Sequence, residues 1–243
     1  MKNESKSIVF LIILINSLYI ILADKSINNN RNLIFKNNIK IKLTNNIDDS
    51  KIIKECIFSF YKHIPNSVYL NDRQIFSYDN ECLNIADYDL EEEYEIKIEW
   101  GLKIDTLEMF FMGKQNVLEV DLSEFDASEV TSMNSMFFDC KNLRNIIFGN
   151  INTSSLIDMH STFSGCESLY SIDLSNFDTS KVIYMGYMFS ECYSLISLDL
   201  TYFNTSNVRS MYNMFQECHS LISLDITNFD TSKVKIWSIY FID

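Results

Sequence analysis

Six cysteines are the residues most able to do chemistry in this 243-residue chain, and their spacing sorts them into two groups. Cys140, Cys166, Cys192 and Cys218 recur at one constant interval, 26 positions on the chain, while Cys56 and Cys82 fall outside that phase. Thiols can pair as disulfides, bind metal or act as nucleophiles. One residue repeated at one interval places its side chains in a file, each above the last in successive structural units. Stacked strands lie ~4.8 Å apart, but the Cβ vectors in a file run parallel. A disulfide needs them turned together, at ~3.5–4.5 Å. The four are therefore expected as buried free thiols, and since they do not converge on a point they form no metal site. Cys56 and Cys82 are the disulfide candidates.

A second file is acidic. Asp173, Asp199 and Asp225 share one position in successive repeats, with Asp121 two repeats before Asp173 and Ile147 interrupting. Carboxylates ~4.8 Å apart repel by roughly 1 kcal/mol in water and ~3.5 kcal/mol at an effective dielectric of 20, so something must relieve them. The flanking hydroxyls of Ser171, Ser197 and Ser223, or of Ser175, Thr201 and Thr227, can do so within a solvated polar face. A basic or hydroxyl-rich ligand lying along the strands, or Ca²⁺, would serve as well. Asn152-Thr153-Ser154 and Asn204-Thr205-Ser206 fit the N-glycosylation pattern. Sister repeats carry Asp in that slot, however, which points to a turn or helix cap. His63, His160 and His219 are the only histidines. His160 and His219 sit in variable slots, and no histidine has a partner for nucleophilic or acid–base work. No glycine loop is built to cradle phosphate. The chain reads as non-enzymatic and without a cofactor.

The elements that position these files come from the repeat itself, which decides the fold before any local pattern does. Met133, Met159, Met185 and Met211 form another column, followed by Trp237. Phe137, Phe163, Phe189, Phe215 and Phe241 form a further one, and Leu143, Leu169, Leu195 and Leu221 a fourth. Ile104, Leu107, Phe110 and Phe111 stand one period before Val130, Met133, Met136 and Phe137, marking a degenerate first copy. Within a repeat, Leu195, Leu198 and Leu200 have strand spacing, with Asp199 on the opposite face. Val208, Met211, Met214, Phe215 and Cys218 lie on one stripe of a helix, and Asn204-Thr205-Ser206 before them supplies helix-starting residues. One such unit cannot bury its own apolar face, so the copies must stack. The expected fold class is α/β: a curved leucine-rich-repeat solenoid with parallel strands on one face, helices on the other and an N-terminal cap.

The repeat pattern L-x-S-L-D-L-S-x-F-D-T-S-x-V-x-x-M-x-x-M-F-x-x-C-x-S-L resembles that of the BspA-like leucine-rich-repeat surface proteins, over about residues 104–243. The resemblance implies a secreted or surface-attached protein with an adhesion or contact role. The repeat at 146–171 departs most, with Ile147 for Asp and Gly149-Asn150-Ile151-Asn152 for Ser-x-Phe-Asp, and is expected to bend or bulge there.

Ahead of the repeats, residues 1–23 read as a secretory signal peptide: Lys2 and Lys6, an apolar run from Ile8 to Leu22, then Ala23. At about fifteen residues that run is short for a membrane span, which needs ~20. Residues 24–50 are Asn-rich and expected to be flexible, although Ile39–Leu43 alternates like a strand. Residues 51–103 are expected as the N-terminal cap. Ser67–Phe76 reads as a hairpin around Asn71-Asp72, and Tyr94–Trp100 as the strand that opens the stack. The formal charge of −13 argues against nucleic acid as a partner. Eighteen Phe, thirteen Tyr and ten Met point to a large apolar interior. The chain stops at Asp243, partway through a repeat, which reads either as a truncated copy or as an open rung able to pair with a second chain. The expected function is recognition of a protein or cell-surface ligand from outside the cell, through the strand face. The alternative is a homo-oligomer assembled through the C-terminal repeat.

Overall fold

A computed structural model describes residues 37–44, 65–75, 78–79, 82–83 and 93–235. The proposed signal peptide at 1–23 lies outside them, as do Cys56, His63, Trp237 and Phe241. Among the described residues ten strands are formed: β1 (Asn37–Thr44), β2 (Ser67–Leu70), β3 (Arg73–Ile75), β4 (Tyr78–Asp79), β5 (Cys82–Leu83), β6 (Glu93–Trp100), β7 (Val117–Asp121), β8 (Asn145–Ile147), β9 (Ser197–Leu198) and β10 (Ser223–Leu224). Six of them make one mixed sheet in the order β3-β2-β6-β1-β7-β8, while β9 pairs with β10 and β4 with β5.

The N-terminal part of the sheet is antiparallel and covers the first repeat. The hairpin of β2 and β3 turns at Asn71 and Asp72, whose φ values of 45° and 63° suit residues that tolerate the left-handed region. β6 does not open the stack as its position in the chain suggested. It pairs with β1, and β1 in turn pairs with β7, Ile41 opposite Val120 and Lys40 opposite Asp121. Part of the segment expected to be flexible is thus the strand that joins cap to repeats. Its alternation explains this: Ile39, Ile41 and Leu43 are buried, against Ile96, Ile98 and Val120 of the neighbouring strands. Trp100 sets its edge against Phe110 and Phe125 of the first repeat, at 5.9 and 6.4 Å.

From residue 104 the chain winds in coils, one to each sequence repeat. Parallel bridges join Thr106 to Ser132, Ser132 to Asp158, Asp158 to Tyr184 and Tyr184 to Ser210. The constant interval is therefore a stacking register. The phenylalanines of the repeat form a continuous pile from Phe111 through Phe137, Phe163 and Phe189 to Phe215. Their centroids are 5.1, 5.8, 5.5 and 5.9 Å apart, and neighbouring rings lie within 14° of parallel. Phe111 at the head of this pile confirms that the degenerate copy is the first coil. On the outer wall β7 pairs with β8 in parallel, and β9 with β10, but no strand continues β8 into 171–175. The break falls where the sequence departs from its pattern. Gly149 holds φ +56°, and a Cβ there would stand 2.9 Å from that of Ser123, so only glycine fits this close approach.

The α/β assignment is overturned: among the described residues there is no helix, and the fold is β-sheet-rich with long turns. The apolar stripe that read as a helix is a run of overlapping turns. Met136 N–H donates to Met133 C=O, Phe138 to Ser135 and Cys140 to Phe137. The N–H groups between these do something no helix allows, donating to the next coil: Met133 to Asp158, Ser135 to His160, Phe137 to Thr162 and Asp139 to Ser164, at 2.8–2.9 Å. Each of the other three junctions from Leu107 onward repeats the set of four. To aim alternate peptides along the stack, the backbone enters the left-handed region twice per coil. It does so at Met109 and Gly113, Ser135 and Asp139, Ser161 and Gly165, Tyr187 and Glu191, and Asn213 and Glu217. An α-helix cannot contain such residues. Met133, Met136, Phe137, Cys140 and Leu143 still point inward, at the spacing of a helix face, so hydrophobic periodicity alone could not separate the two.

The cysteine column is free, as the file argument required. Each thiol donates to the phenylalanine carbonyl of the preceding coil: Cys140 to Phe111, Cys166 to Phe137, Cys192 to Phe163 and Cys218 to Phe189, at 2.9–3.3 Å. Burial pushes the Cys140 and Cys218 thiols up to about 12 and those of Cys166 and Cys192 well above their ordinary value.

Two outcomes follow from this backbone and core. Met109 is exposed at φ 55°, so Met109→Gly should raise stability by up to about 1 kcal/mol, measured by denaturant unfolding. In a helix the same change would cost ~1 kcal/mol. The thiols hold their protons more tightly when folded than the ~8.5 of an unfolded cysteine. Their contribution is therefore complete below about pH 8.5 and declines as pH rises toward the folded values. Unfolding free energy measured from about pH 7 to 9.5 should fall with pH, and less steeply in Cys166→Ala; equal slopes would contradict it.

Candidate functional site: the strand face

The outward side of the strand wall is set by alternation. Leu198 and Leu200 are buried, and Asp199 between them is exposed. Stacking then extends each exposed residue into a column. Asp173, Asp199 and Asp225 form the acidic file, and each carboxylate is engaged from within its own coil. Oδ1 of Asp173 accepts the N–H of Ser175 at 2.9 Å, that of Asp199 the N–H of Thr201 at 2.9 Å and that of Asp225 the N–H of Thr227 at 3.0 Å. The hydroxyls of Thr201 and Thr227 donate to the same oxygens at 2.6 and 2.7 Å.

These bonds outweigh the repulsion along the file. The Ser175 and Thr201 hydroxyls, then the backbone N–H groups, hold Asp173 and Asp199 below the usual carboxylate range; for Asp225 the Thr227 N–H leads. Asp225 and Asp173 push Asp199 the other way, but only as the weakest contributions. All three side chains are solvent-facing, so their ionisation has little weight in stability. Of the two hydroxyl columns that could have relieved the file, the one two residues after the acids does so. Ser171, Ser197 and Ser223 remain exposed beside it.

The structure does not bring Asp121 into this group. It lies beyond exposed Ile147, on the strand paired with the cap, opposite Lys40, and its Oδ1 accepts from the N–H of Ser123. Beside the three remaining acids runs a column that is apolar and exposed: Tyr170 at 54 %, Ile196 at 47 % and Ile222 at 83 %. The face is thus a hydrophobic rail and an acidic rail with serines between them.

The Asp-or-Asn column read as a helix cap closes turns. Asp126, Asn152, Asp178, Asn204 and Asp230 each accept the N–H two residues on, at 2.9–3.1 Å. The Asn152 and Asn204 carboxamides do the work of their aspartate sisters, and both residues are exposed. The threonine that follows has a role the sequence reading missed. Buried Thr153, Thr179 and Thr205 each clip the next coil, accepting from the N–H and donating to the C=O of Asp178, Asn204 and Asp230. Its signal was the column itself, interrupted only by Ala127 in the first coil. One coil earlier, where the same register would place the clip at Gly101, the cap supplies it: Asn37 Oδ1 accepts from Asp126 N–H at 2.9 Å.

Cys82 lies in β5, but Cys56 is outside the described residues, so their pairing is too. His160 sets its ring against Tyr187, while His219 stacks on Tyr193 and meets Glu217 at 2.9 Å. Among the described residues no three His, Cys, Asp or Glu side chains are grouped to hold a metal, and no helix is long and apolar enough to cross a membrane.

No curated protein and no solved structure matches the chain. Residues 104–220 and 194–243, together more than half of it, match the family model described as "Mycoplasma protein of unknown function, DUF285", and the chain belongs to that family.

Proposed function

We propose that this chain is a non-enzymatic secreted or cell-surface protein that recognises a protein or cell-surface ligand through its strand face. The observation that carries the reading is the exposed rail of Tyr170, Ile196 and Ile222 alongside the acids Asp173, Asp199 and Asp225. Apolar side chains set in a row and bordered by charge are a feature of contact surfaces. A complementary partner offers apolar groups flanked by basic or hydroxyl groups. The repeat's resemblance to the BspA-like surface proteins and the signal-like start of the chain support an extracellular setting. Coils whose inward residues repeat and whose outward residues vary also suit recognition, because the surface can change without disturbing the core.

Binding of the labelled full chain to intact cells and to matrix proteins tests this. The comparison is with a Tyr170→Ser, Ile196→Ser, Ile222→Ser variant and an Asp173→Asn, Asp199→Asn, Asp225→Asn variant. Asparagine keeps the turn-closing oxygen, as Asn204 shows in its own turn, so the second variant tests charge alone. Saturable binding, weakened at least tenfold by the serine changes and measurably by the asparagine ones, is expected. Binding that neither variant alters would move the contact elsewhere, and an absence of saturable binding would contradict the proposal.

A further inference from the structure

The chain carries a formal charge of −13, yet one flank of the coils gathers cations. Two neighbouring columns, 181/207/233 and 183/209/235, place Lys181 on one rung, Arg209 on the next, and Lys233 with Lys235 on the third. Lys181, Arg209 and Lys233 line a depression of about 290 Å³ with Asn207 and Ile183. Elsewhere lysines are answered by acids: Lys42 by Glu93, Lys97 by Glu99, Lys103 by Asp126 and Lys141 by Glu167, at 2.6–3.2 Å. No Asp or Glu carboxylate of the described residues comes within 4.0 Å of Lys181, Arg209, Lys233 or Lys235. Asp178 and Asp230 stand nearest in the chain, but their Oδ1 atoms close their own turns through Ser180 and Ser232.

The arrangement is also held in place. Asn207 donates from Nδ2 to Ser180 C=O at 2.8 Å and accepts from Lys233 Nζ at 2.9 Å, fixing that ammonium at the rim. The acidic file on the strand face has hydroxyls and N–H groups to offset its stacking of like charges; on the basic flank Asn207 meets Lys233, and Asp178 and Asp230 act on Lys181 and Lys233 only as the weakest of their own interactions. Four cations against two carboxylates beyond 4.0 Å leave the flank net positive, a surface suited to an anion.

The spacing bears on which anion. Cations stand on successive rungs, the rungs about 4.8 Å apart and the cations staggered between two columns, a sparse spacing on the scale of sugar rings in an extended polymer. Duplex nucleic acid carries a charge every ~1.7 Å of its axis and is held by many cations; the protein's overall negative field opposes such a density more strongly than it opposes a sparsely charged chain. We propose that this depression binds an anionic polysaccharide, its carboxylate or sulfate groups set rung by rung against Lys181, Arg209 and the Lys233–Lys235 pair. Arg209 is the residue able to take an oxyanion through two parallel N–H donors. The site lies apart from the acidic rail, so the two can be disabled separately.

The test titrates the full chain with a size-defined oligouronate carrying one carboxylate per ring, at low and at physiological ionic strength, with a polyphosphate of equal total charge and an uncharged dextran beside it. A Lys181→Gln, Arg209→Gln, Lys233→Gln, Lys235→Gln variant is compared, its fold checked by near-UV circular dichroism, and sedimentation of both proteins is recorded. Expected is saturable, salt-sensitive binding of the oligosaccharide, weakened at least tenfold in the variant and unchanged by Asp173→Asn, Asp199→Asn, Asp225→Asn. No binding, equal binding by the variant, or equally tight binding of polyphosphate would each overturn the proposal. So would self-association that the variant abolishes, since the occupant would then be a second copy of the chain.

Discussion

Every second N–H in the turn stretch of a coil, from Leu107 to Gly113 in the first, donates to a carbonyl of the coil that follows. On this bond the rest of the structure depends. The peptide between Ser132 and Met133 is typical: its C=O accepts from Leu107 below and its N–H donates to Asp158 above. The peptides above and below it point the same way, so four files of aligned peptide groups run along the stack and polarise one another. The remaining N–H groups close tight turns within the coil. A helix would satisfy the same donors, but wholly inside one repeat, leaving only side chains to join neighbours. The cost of the observed form is a left-handed residue twice per coil, roughly 1–2 kcal/mol each where it is not glycine. The return is a continuous backbone network through the stack.

From that register the side-chain columns follow. Identical residues fall above one another, so phenylalanines pile, thiols reach the carbonyl of the coil before, and threonines clip the coil after. Stacking also forces like charges together, and the fold answers this in two ways. The acids of the strand face are relieved locally by the hydroxyl and N–H two residues on. The cations of the basic flank have Asn207 among them and Asp178 and Asp230 at longer range. Both surfaces are consequences of the period, and the outward residues can vary while the inward columns hold.

Much of this was legible because the constant interval between like residues is a direct record of the stacking. The columns of buried residues, the degenerate first copy at Ile104–Phe111, the free cysteines and the exposed acid file could all be read from spacing. The helices could not be tested that way. Turns of alternating hand bring Met133, Met136, Phe137 and Cys140 to the core at helical intervals, and periodicity reports only which side chains face inward. A backbone signal was present in Gly113 and Gly165, which share one column inside the supposed helix, one residue before its last apolar position, where glycine is unfavourable. Nothing in β1 itself announced that it would pair with β7. The antiparallel register that sets Ile41 opposite Val120 joins distant parts of the chain; alternation shows that Ile39, Ile41 and Leu43 share a buried face, but not which strand lies beside it. The basic flank was missed although its two columns, 181/207/233 and 183/209/235, stand two positions apart in the sequence; spacing did not tell that they line one depression.

The most direct measurement is nuclear magnetic resonance of scalar coupling across hydrogen bonds in the third coil. The account predicts that the N–H of Phe163 couples to the carbonyl carbon of Met188, and that of Ser161 to Gly186. Coupling of Phe163 to the carbonyl of Met159, four residues back, would show a helix and contradict the account.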